Sequence, residues 1–206
     1  MIDNLLGIKS SAELAKEEER LSKARAAALY DSGALDKLPA GRFETLSFIH
    51  RELFGEIYEF AGKIRTVNIS KGGFRFASCI YLEEALGSID AMPQQSFEQI
   101  IEKYVEMNIA HPFREGNGRS MRIWLDHILK SELGKVIDWS RVEKEDYLLA
   151  MERSPVRDTE IKLLLKDALT DKADDREIYI KGIDKSYEYE GYSLYTTGEL
   201  LNGGNI

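Results

Sequence analysis

The stretch at residues 111–122 reads His-Pro-Phe-Arg-Glu-Gly-Asn-Gly-Arg-Ser-Met-Arg, and it separates two runs of apolar residues. Both runs have the i, i+3, i+4 spacing of a helix with one buried face. They consist of Phe97, Ile100, Ile101, Tyr104, Val105 and Ile109 before the stretch, and of Met121, Trp124, Leu125, Ile128 and Leu129 after it. The pattern predicts a tight loop between two core helices. We expect Pro112 to end the first helix near His111, and the second helix to begin at about Gly118.

The start of this second helix has the composition of an anion-binding site. Free N–H groups in the first turn of a helix attract anions, and Gly116 and Gly118 allow the backbone to approach a ligand closely. Arg119 and Arg122 are unusual there, because the helix dipole disfavours cations in a first turn. An anion held between the N–H groups and both guanidinium groups would explain them, and a triphosphate has a suitable charge.

Two other side chains of the stretch suit such a ligand. Glu115 is a candidate ligand for the Mg²⁺ that accompanies a nucleoside triphosphate. His111 lies at the loop entrance, where a base near neutral pH is useful. The alternative is a capped helix with surface arginines and a core histidine, but the whole constellation favours the functional interpretation. We expect His50 to be structural and assign no chemical role to His127.

The stretch resembles the signature of Fic domains, His-Pro-Phe-x-(Asp/Glu)-Gly-Asn-Gly-Arg-x-x-Arg, at every fixed position. Fic proteins mostly transfer AMP from ATP to a hydroxyl group of a target protein. The resemblance implies that His111 is the catalytic base and Glu115 the Mg²⁺ ligand. It implies that the nucleotide phosphates are held by Gly116, Asn117, Gly118, Arg119 and Arg122. The related Doc kinases carry a Lys where this chain has Gly118, so AMP transfer is favoured over phosphate transfer.

The segment before the central stretch supports this resemblance. Residues 57–65 are similar to the Ile-Tyr-x-aromatic-Ala-Gly-x-Ile-Arg stretch that is common upstream of the Fic flap. In residues 66–81 an alternating apolar pattern and a Gly-Gly pair predict a β-hairpin, which could be a surface hairpin without function. The resemblance implies that it is the flap, whose edge strand docks a target segment through backbone hydrogen bonds. Its docking residues would be Gly72, Gly73 and Phe74.

The C-terminal part contains a second informative stretch, Ser-Tyr-Glu-Tyr-Glu-Gly at residues 186–191. We expect a short helix at about residues 183–191, with Ser186 as a candidate N-cap and Gly191 as its C-terminal stop. The stretch is similar to the (Ser/Thr)-x-x-x-Glu-(Gly/Asn) inhibitory helix of Fic proteins. Its C-terminal position implies the single-domain class called class III. Glu190 would then compete with the γ-phosphate of ATP for Arg122.

Further helices are predicted at residues 42–54, 83–92, 96–110, 142–151 and 158–169, with an apolar connector at residues 136–139. Ser10 and Ser11 predict the start of an N-terminal helix that ends before Ser32. Leu14, Leu21 and Ala28 follow heptad spacing in it, which places residues 17–20 on its polar side. These elements favour a mainly α protein. Together with the resemblance, they imply one Fic domain over residues 1–206, a helical bundle with a β-hairpin flap.

The composition of the chain limits which partners and which cellular location we expect. The chain has 206 residues, of which 43% are hydrophobic and 31% charged, as is usual for one soluble domain. Its single cysteine, Cys79, allows neither an internal disulfide nor a cysteine-based zinc site. A net charge of −8 argues against general nucleic-acid binding. With no apolar run near the ~20 residues of a membrane span and no signal pattern, we expect a cytoplasmic protein without membrane contact.

Three functions are compatible with these features. The favoured one is an autoinhibited protein adenylyltransferase that modifies a Tyr, Ser or Thr of a target protein, with deAMPylation as a second use of Glu190. A non-catalytic nucleotide sensor is less favoured, because a pure binder needs no base such as His111. The third is a related Fic transferase that moves phosphocholine, UMP or phosphate. The resemblance leaves open a second type of divalent metal, a homo-oligomer and self-modification of a tail tyrosine (Tyr187, Tyr189 or Tyr192).

Overall fold

The computed structural model describes residues 2–71 and 73–202, and it is mainly helical, which confirms the predicted fold class. The helices are α1 Ser11–Asp31, α2 Phe43–Phe54, α3 Leu82–Asp90, α4 Phe97–Ala110, α5 Asn117–Leu133, α6 Lys144–Arg153, α7 Thr159–Asp167, α8 Arg176–Tyr189 and α9 Thr197–Asn202. The strands are β1 Ser70–Lys71, β2 Phe74–Arg75, β3 Val136–Ile137 and β4 Leu169–Thr170. In this part of the chain, no helix is both long and apolar enough to span a membrane.

Helices α4 and α5 form the centre of the bundle, and the loop between them carries residues 111–116. Helix α4 begins with a capping box, because Ser96 and Gln99 bond each other's backbone N–H groups. Helix α5 contributes Trp124, which is fully buried and donates its indole N–H to the carbonyl of Arg42 at 3.0 Å. Helices α2 and α8 both pack against α1 and α5. The loop is therefore held between two helices whose inner faces are buried in the core.

The predicted hairpin is present as the antiparallel pair β1–β2, in which Ser70 faces Arg75 and Lys71 faces Phe74. We call residues 66–81 the flap. Of its predicted docking residues, Gly73 and Phe74 are in the described part of the chain, and Gly72 lies outside the described residues. A two-stranded hairpin is marginally stable alone, so its contacts with α4 matter. One of them is the bond from the Ala77 N–H to the Ile109 carbonyl at 3.0 Å.

Two local predictions about the second half of the chain were wrong. The expected connector at residues 136–139 contains β3, which pairs with β4 about thirty residues later. Helix α8 begins at Arg176 rather than near residue 183, and its N-cap is Asp175, whose carboxylate accepts the N–H groups of the first turn. Ser186 therefore lies inside the helix and is not its N-cap. The expected stop is confirmed, since Gly191 follows the helix with φ of 90°.

The buried face of α1 also differs from the prediction. Ala28 is exposed and Leu21 only partly buried, whereas Glu18, Glu19 and Lys23 are almost completely buried. Buried charges of this kind need partners. Glu19 pairs with Lys23 at 3.0 Å and accepts the N–H groups of Leu194 and Tyr195, both at 3.1 Å. The predicted polar side of α1 is thus the side that contacts the C-terminal segment.

Candidate active site

The loop before α5 begins with a left-handed residue. His111 has φ of 49° and ψ of 63°, and it is the only described non-glycine residue with positive φ. For an L-residue this conformation costs roughly 1–2 kcal/mol, and such strain concentrates at functional sites. It is maintained by bonds on both sides: the His111 N–H donates to the Met107 carbonyl, and the His111 carbonyl accepts from Arg65 Nε at 2.8 Å.

The imidazole of His111 faces the flap. Its ring stacks on Phe76, with ring centroids 3.7 Å apart and planes inclined by 20°. Nδ1 lies 3.2 Å from the Asn108 carbonyl oxygen. Because a carbonyl only accepts, this contact requires the proton on Nδ1 and leaves Nε2 free to accept one. Burial lowers the pKa of His111 to about 4, so the ring is neutral at pH 7.

His50 fixes the middle of the loop, as the structural prediction implies. Its Nδ1 accepts the N–H of Gly62 at 2.9 Å, so its Nε2 carries the proton and donates to the Glu115 carbonyl at 2.8 Å. Gly116 follows with φ of 77°, and a Cβ there would lie 2.5 Å from Cε2 of Phe54. A side chain is therefore excluded at Gly116 both by conformation and by space.

The N-terminus of α5 is open to an anion. The side chain of Asn117 bonds twice to the backbone of Phe113: its Oδ1 accepts the Phe113 N–H and its Nδ2 donates to the Phe113 carbonyl, each at 2.8 Å. Asn117 can thus offer a phosphate only its backbone N–H. Among the described residues, the N–H groups of Asn117, Gly118 and Arg119 donate to no protein acceptor. Three unpaired donors at the positive end of a helix form the anion site that the sequence predicts.

Arg122 and Glu190 meet at this anion site. Arg122 Nη2 donates to Glu190 Oε1 at 3.1 Å, and Arg122 Nε donates to the Ser186 hydroxyl at 2.6 Å. A Cβ on Gly118 would lie 2.3 Å from Glu190 Oε1, so the carboxylate lies directly against this glycine. Burial alone would raise the pKa of Glu190, but Arg122 and Lys71 outweigh it and lower the value to about 2. A permanent negative charge therefore lies where a phosphate is expected.

Arg119 has a different environment from Arg122. Its side chain is 1% exposed, and Nη1 donates to Glu18 Oε1 at 2.6 Å. The rings of Phe54, Tyr187 and Tyr192 surround its guanidinium at 4.8, 5.2 and 4.7 Å. In this conformation Arg119 joins α5 to α1 and to the C-terminal segment. Its predicted contact with nucleotide phosphate stays a prediction.

Two charged contacts of the site could not be recognised in the sequence. One involves the carboxylate of Glu18, which accepts hydrogen bonds from Arg119, from the Tyr58 hydroxyl and, at 2.7 Å, from the Tyr192 hydroxyl. The other is Lys71 of the flap, whose Nζ lies 3.3 Å from Glu190 Oε2. The partners lie between 40 and 174 positions away in the chain, and the local pattern carries no signal for them.

The carboxylate of Glu115 suits a metal that arrives with a nucleotide. Its side chain is 44% exposed, and Oε1 accepts the N–H of Gly116 at 2.9 Å and Arg119 Nη2 at 3.3 Å. Oε2 has no partner among the described residues, which also contain no cluster of three or more potential metal ligands. Mg²⁺ is commonly bound by one or two carboxylates together with substrate phosphates, and this arrangement fits that mode.

The described residues thus combine a mainly helical fold, an anion site, a neutral histidine and an adjoining flap. Residues 42–129 match the model of the Fic/DOC family. The chain is 31% identical over 140 residues to the probable protein adenylyltransferase y4lH of Sinorhizobium fredii, covering 61% of this chain and 72% of that protein. The chain therefore belongs to the Fic/DOC family.

Other relatives agree with this assignment. Protein adenylyltransferase VbhT of Bartonella schoenbuchensis is 31% identical over 218 residues, which cover 93% of this chain but only 44% of VbhT. The crystal structure of BepC from Bartonella tribocorum, with bound AMPPNP, superposes with a TM-score of 0.70 at 21% identity. The superposition covers 82% of this chain and 92% of the BepC chain. This likeness shows that the fold is shared.

Proposed function

We propose that the chain is a protein adenylyltransferase, which transfers AMP from ATP to a hydroxyl group of a target protein. The observation that carries the proposal is a free proton acceptor near an anion site. Among the described residues His111 Nε2 is unpaired and its ring neutral, and the Glu190 carboxylate that lies against Gly118 is close enough to act on the pKa of His111. Relatives named protein adenylyltransferases support it. So do relatives' structures with bound AMPPNP and ADP, at the level of the fold.

The reaction follows from these positions. His111 Nε2 takes the proton of a target Tyr, Ser or Thr hydroxyl as its oxygen attacks the α-phosphorus of ATP. The bond between that phosphorus and the bridging oxygen breaks, and pyrophosphate leaves. Asn117 and Gly118 offer their backbone N–H groups to the phosphates. Gly116, whose own N–H is bonded to Glu115, would let the backbone approach them closely. Arg119 and Arg122 are the proposed side-chain ligands. Glu115 would hold Mg²⁺, which neutralises phosphate charge.

We further propose that Glu190 inhibits this reaction as part of a C-terminal inhibitory helix of class III. Arg122 cannot give the same guanidinium group to Glu190 and to a γ-phosphate. ATP would bind with its γ-phosphate displaced, and a misplacement of about 1 Å can cost ~10²-fold in rate. The same carboxylate could activate water to remove AMP from a modified target. A single domain over residues 1–206, a cytoplasmic location, a homo-oligomer and a second type of divalent metal stay predictions.

The decisive experiment uses the Glu190→Gly variant with ATP labelled at either the α- or the γ-phosphate, in a lysate of a host cell. Counting only the label that exceeds the same lysate without the added variant, we expect protein-bound label from the α position and none from γ. Label retained only from γ would identify a phosphate transfer. No transfer from either position would exclude both AMP and phosphate transfer; if ATP still binds in calorimetry and labelled UTP and a labelled phosphocholine donor also give no product, the nucleotide sensor is favoured. Adding His111→Ala to the same variant is the control, since it should abolish the labelling.

A further inference from the structure

The side chain of Arg65 is buried where the flap meets the end of α4. Its relative exposure is 4%. Four hydrogen bonds leave the guanidinium, and all of them end on backbone carbonyls. The acceptors are His111 at 2.8 Å from Nε, Val67 at 2.7 Å from Nη1, and Ala77 at 2.5 Å and Ala110 at 3.1 Å from Nη2. The backbone N–H of Arg65 adds a fifth bond, to Pro112 at 2.8 Å.

These acceptors belong to two different parts of the site. Val67 and Ala77 lie on the two sides of the flap, before β1 and after β2. Ala110 and His111 are the residues at which α4 ends and the chain turns into the left-handed conformation. The last carbonyls of a helix have no intrahelical partner and carry the negative end of its dipole. The guanidinium of Arg65 therefore connects the end of α4 to both sides of the flap through hydrogen bonds to their carbonyls.

The chemistry of this contact requires an arginine. Among the described residues Arg65 forms no ion pair with a carboxylate, and each hydrogen bond of its guanidinium ends on a backbone carbonyl. The planar guanidinium directs its N–H groups to several acceptors at once, which the single ammonium of a lysine cannot do. Burial lowers the pKa of Arg65, but arginine stays protonated in proteins.

We propose that Arg65 is a positioning residue of the transfer reaction, which fixes the separation between the flap and the imidazole of His111. Resting on the proposed function, this assigns Arg65 a role in orienting the base and the docked hydroxyl relative to each other. Arg65 need not touch either substrate. The link to the imidazole is direct, because Phe76 of the flap stacks on His111 at 3.7 Å. A displaced flap would change both the orientation of the base and its burial.

The proposal separates catalysis from nucleotide binding. None of the hydrogen bonds of Arg65 involves residues 116–122, which form the anion site. In the Glu190→Gly background, Arg65→Lys should lower kcat about 10²-fold, the cost of a misplacement near 1 Å. The Kd for ATP should change less than twofold. Arg157→Lys, at an exposed arginine between α6 and α7, is the matched control and should change neither quantity.

A second measurement does not depend on catalysis. The chain has three histidines, so the His111 imidazole can be followed by NMR during a pH titration. The charged groups that act on this imidazole are Glu190, Lys71 and Arg65 itself. The variants of Arg65 are compared with a parent protein that has the same Glu190 and Lys71, so that only residue 65 differs. In Arg65→Ala we expect the pKa of His111 to rise from about 4 towards its ordinary 6.5 as the ring is exposed. Millimolar guanidinium should lower it again and restore turnover.

Each outcome decides the proposal. Reduced kcat with unchanged ATP affinity, a raised pKa and rescue by guanidinium support it. Unchanged kcat in Arg65→Lys, or an equal loss of ATP binding, overturns it. If the Glu190→Gly enzyme transfers no AMP, the proposed function fails, and the titration still tests the link between flap and base. If Arg65→Ala does not fold, as judged by thermal unfolding, the same titration of Arg65→Lys is decisive: an unchanged pKa overturns the proposal.

Discussion

The carboxylate of Glu190 and the guanidinium of Arg122 form an ion pair across the first turn of α5, with 3.1 Å between Oε1 and Nη2. Ser186 holds the same guanidinium through its hydroxyl and its carbonyl, at 2.6 and 2.8 Å. Arg122 is thus bound by three groups of α8 and its C-cap. A nucleotide that needs Arg122 has to displace these contacts, and this competition underlies the first prediction.

Replacing Glu190 by glycine should raise AMP transfer by about 10²-fold, because Arg122 becomes available to the γ-phosphate. The matched control is Glu188→Gly, which puts the same helix-weakening residue at an exposed position of α8. Incorporation of label from α-labelled ATP measures both. Equal rates in Glu190→Gly and wild type would show that this ion pair does not inhibit.

Replacing His111 by alanine should lower transfer by ~10²–10⁴-fold while ATP still binds. The pH profile of the enzyme with its histidine intact is a stricter check. Since burial lowers the pKa of His111 to about 4, the base stays neutral and kcat/KM should be flat from pH 6 to 8. The rate should fall only as the pH approaches the lowered pKa. A fall centred near pH 6.5 would contradict the buried, neutral histidine.

Replacing Glu115 by glutamine should remove the dependence of ATP binding on Mg²⁺. The substitution keeps the size of the side chain and removes the charge that would hold the metal. Arg119 loses a contact at 3.3 Å but keeps the buried one with Glu18, so the fold should be preserved. Calorimetry of ATP binding with and without Mg²⁺ gives the comparison. If Mg²⁺ still strengthens binding as in wild type, the metal ligand is another residue.

Replacing Tyr192 by phenylalanine should weaken the hold of the C-terminal segment on α1. The change removes the 2.7 Å hydrogen bond to Glu18 and keeps the ring beside Arg119. A hydrogen bond to a charged group contributes roughly 1.5–3 kcal/mol, so transfer should rise about tenfold or more if the segment stabilises the inhibited state. Tyr195→Phe is the control, because Tyr195 contacts α1 through its backbone.

The same substitution should have no effect once Glu190 is glycine. Transfer rates of the double variant and faster hydrogen exchange in α8 of Tyr192→Phe distinguish release of the helix from a change in the active site. An equal rise in both backgrounds would place the effect of Tyr192 elsewhere.

Self-modification should occur only after α8 leaves its site. Tyr187 and Tyr189 are buried, and their hydroxyls donate to Ser22 and to the Val142 carbonyl, each at 2.7 Å. Neither can reach a neighbour's active site in this conformation. Mass spectrometry after incubation with Mg²⁺-ATP should therefore find AMP on Tyr187 or Tyr189 earlier in Tyr192→Phe than in wild type. A tail free of AMP in an otherwise active enzyme would remove this idea.

The parts of the fold that could be predicted are those with local signals. The apolar spacing around Ile101 and Trp124 and the proline after His111 are local signals, and the bounds of α4 and the start of α5 were predicted to within one residue. The hairpin likewise follows from a short alternating run with a central Gly-Gly pair.

What could not be predicted depends on partners distant in sequence. Glu18 looks like part of a solvated helix face until Arg119 and Tyr192 are brought beside it. Val136 becomes a strand residue only because Thr170 pairs with it. At Ser186 the hydroxyl suggested a helix start, but that hydroxyl binds Arg122 instead. In each case a tertiary contact decided the role of a residue whose local pattern favoured another.

The missing side chain at Gly118 has a consequence for how this family can diversify. Glu190 occupies the volume that a Cβ would need, with only 2.3 Å between them. A side chain at position 118, such as the Lys of Doc kinases, would require the Glu190 carboxylate to move from its present position beside Arg122. The proposed inhibition by Glu190 therefore depends on a glycine in a helix that is distant in sequence, and we expect the two residues to be retained or lost together.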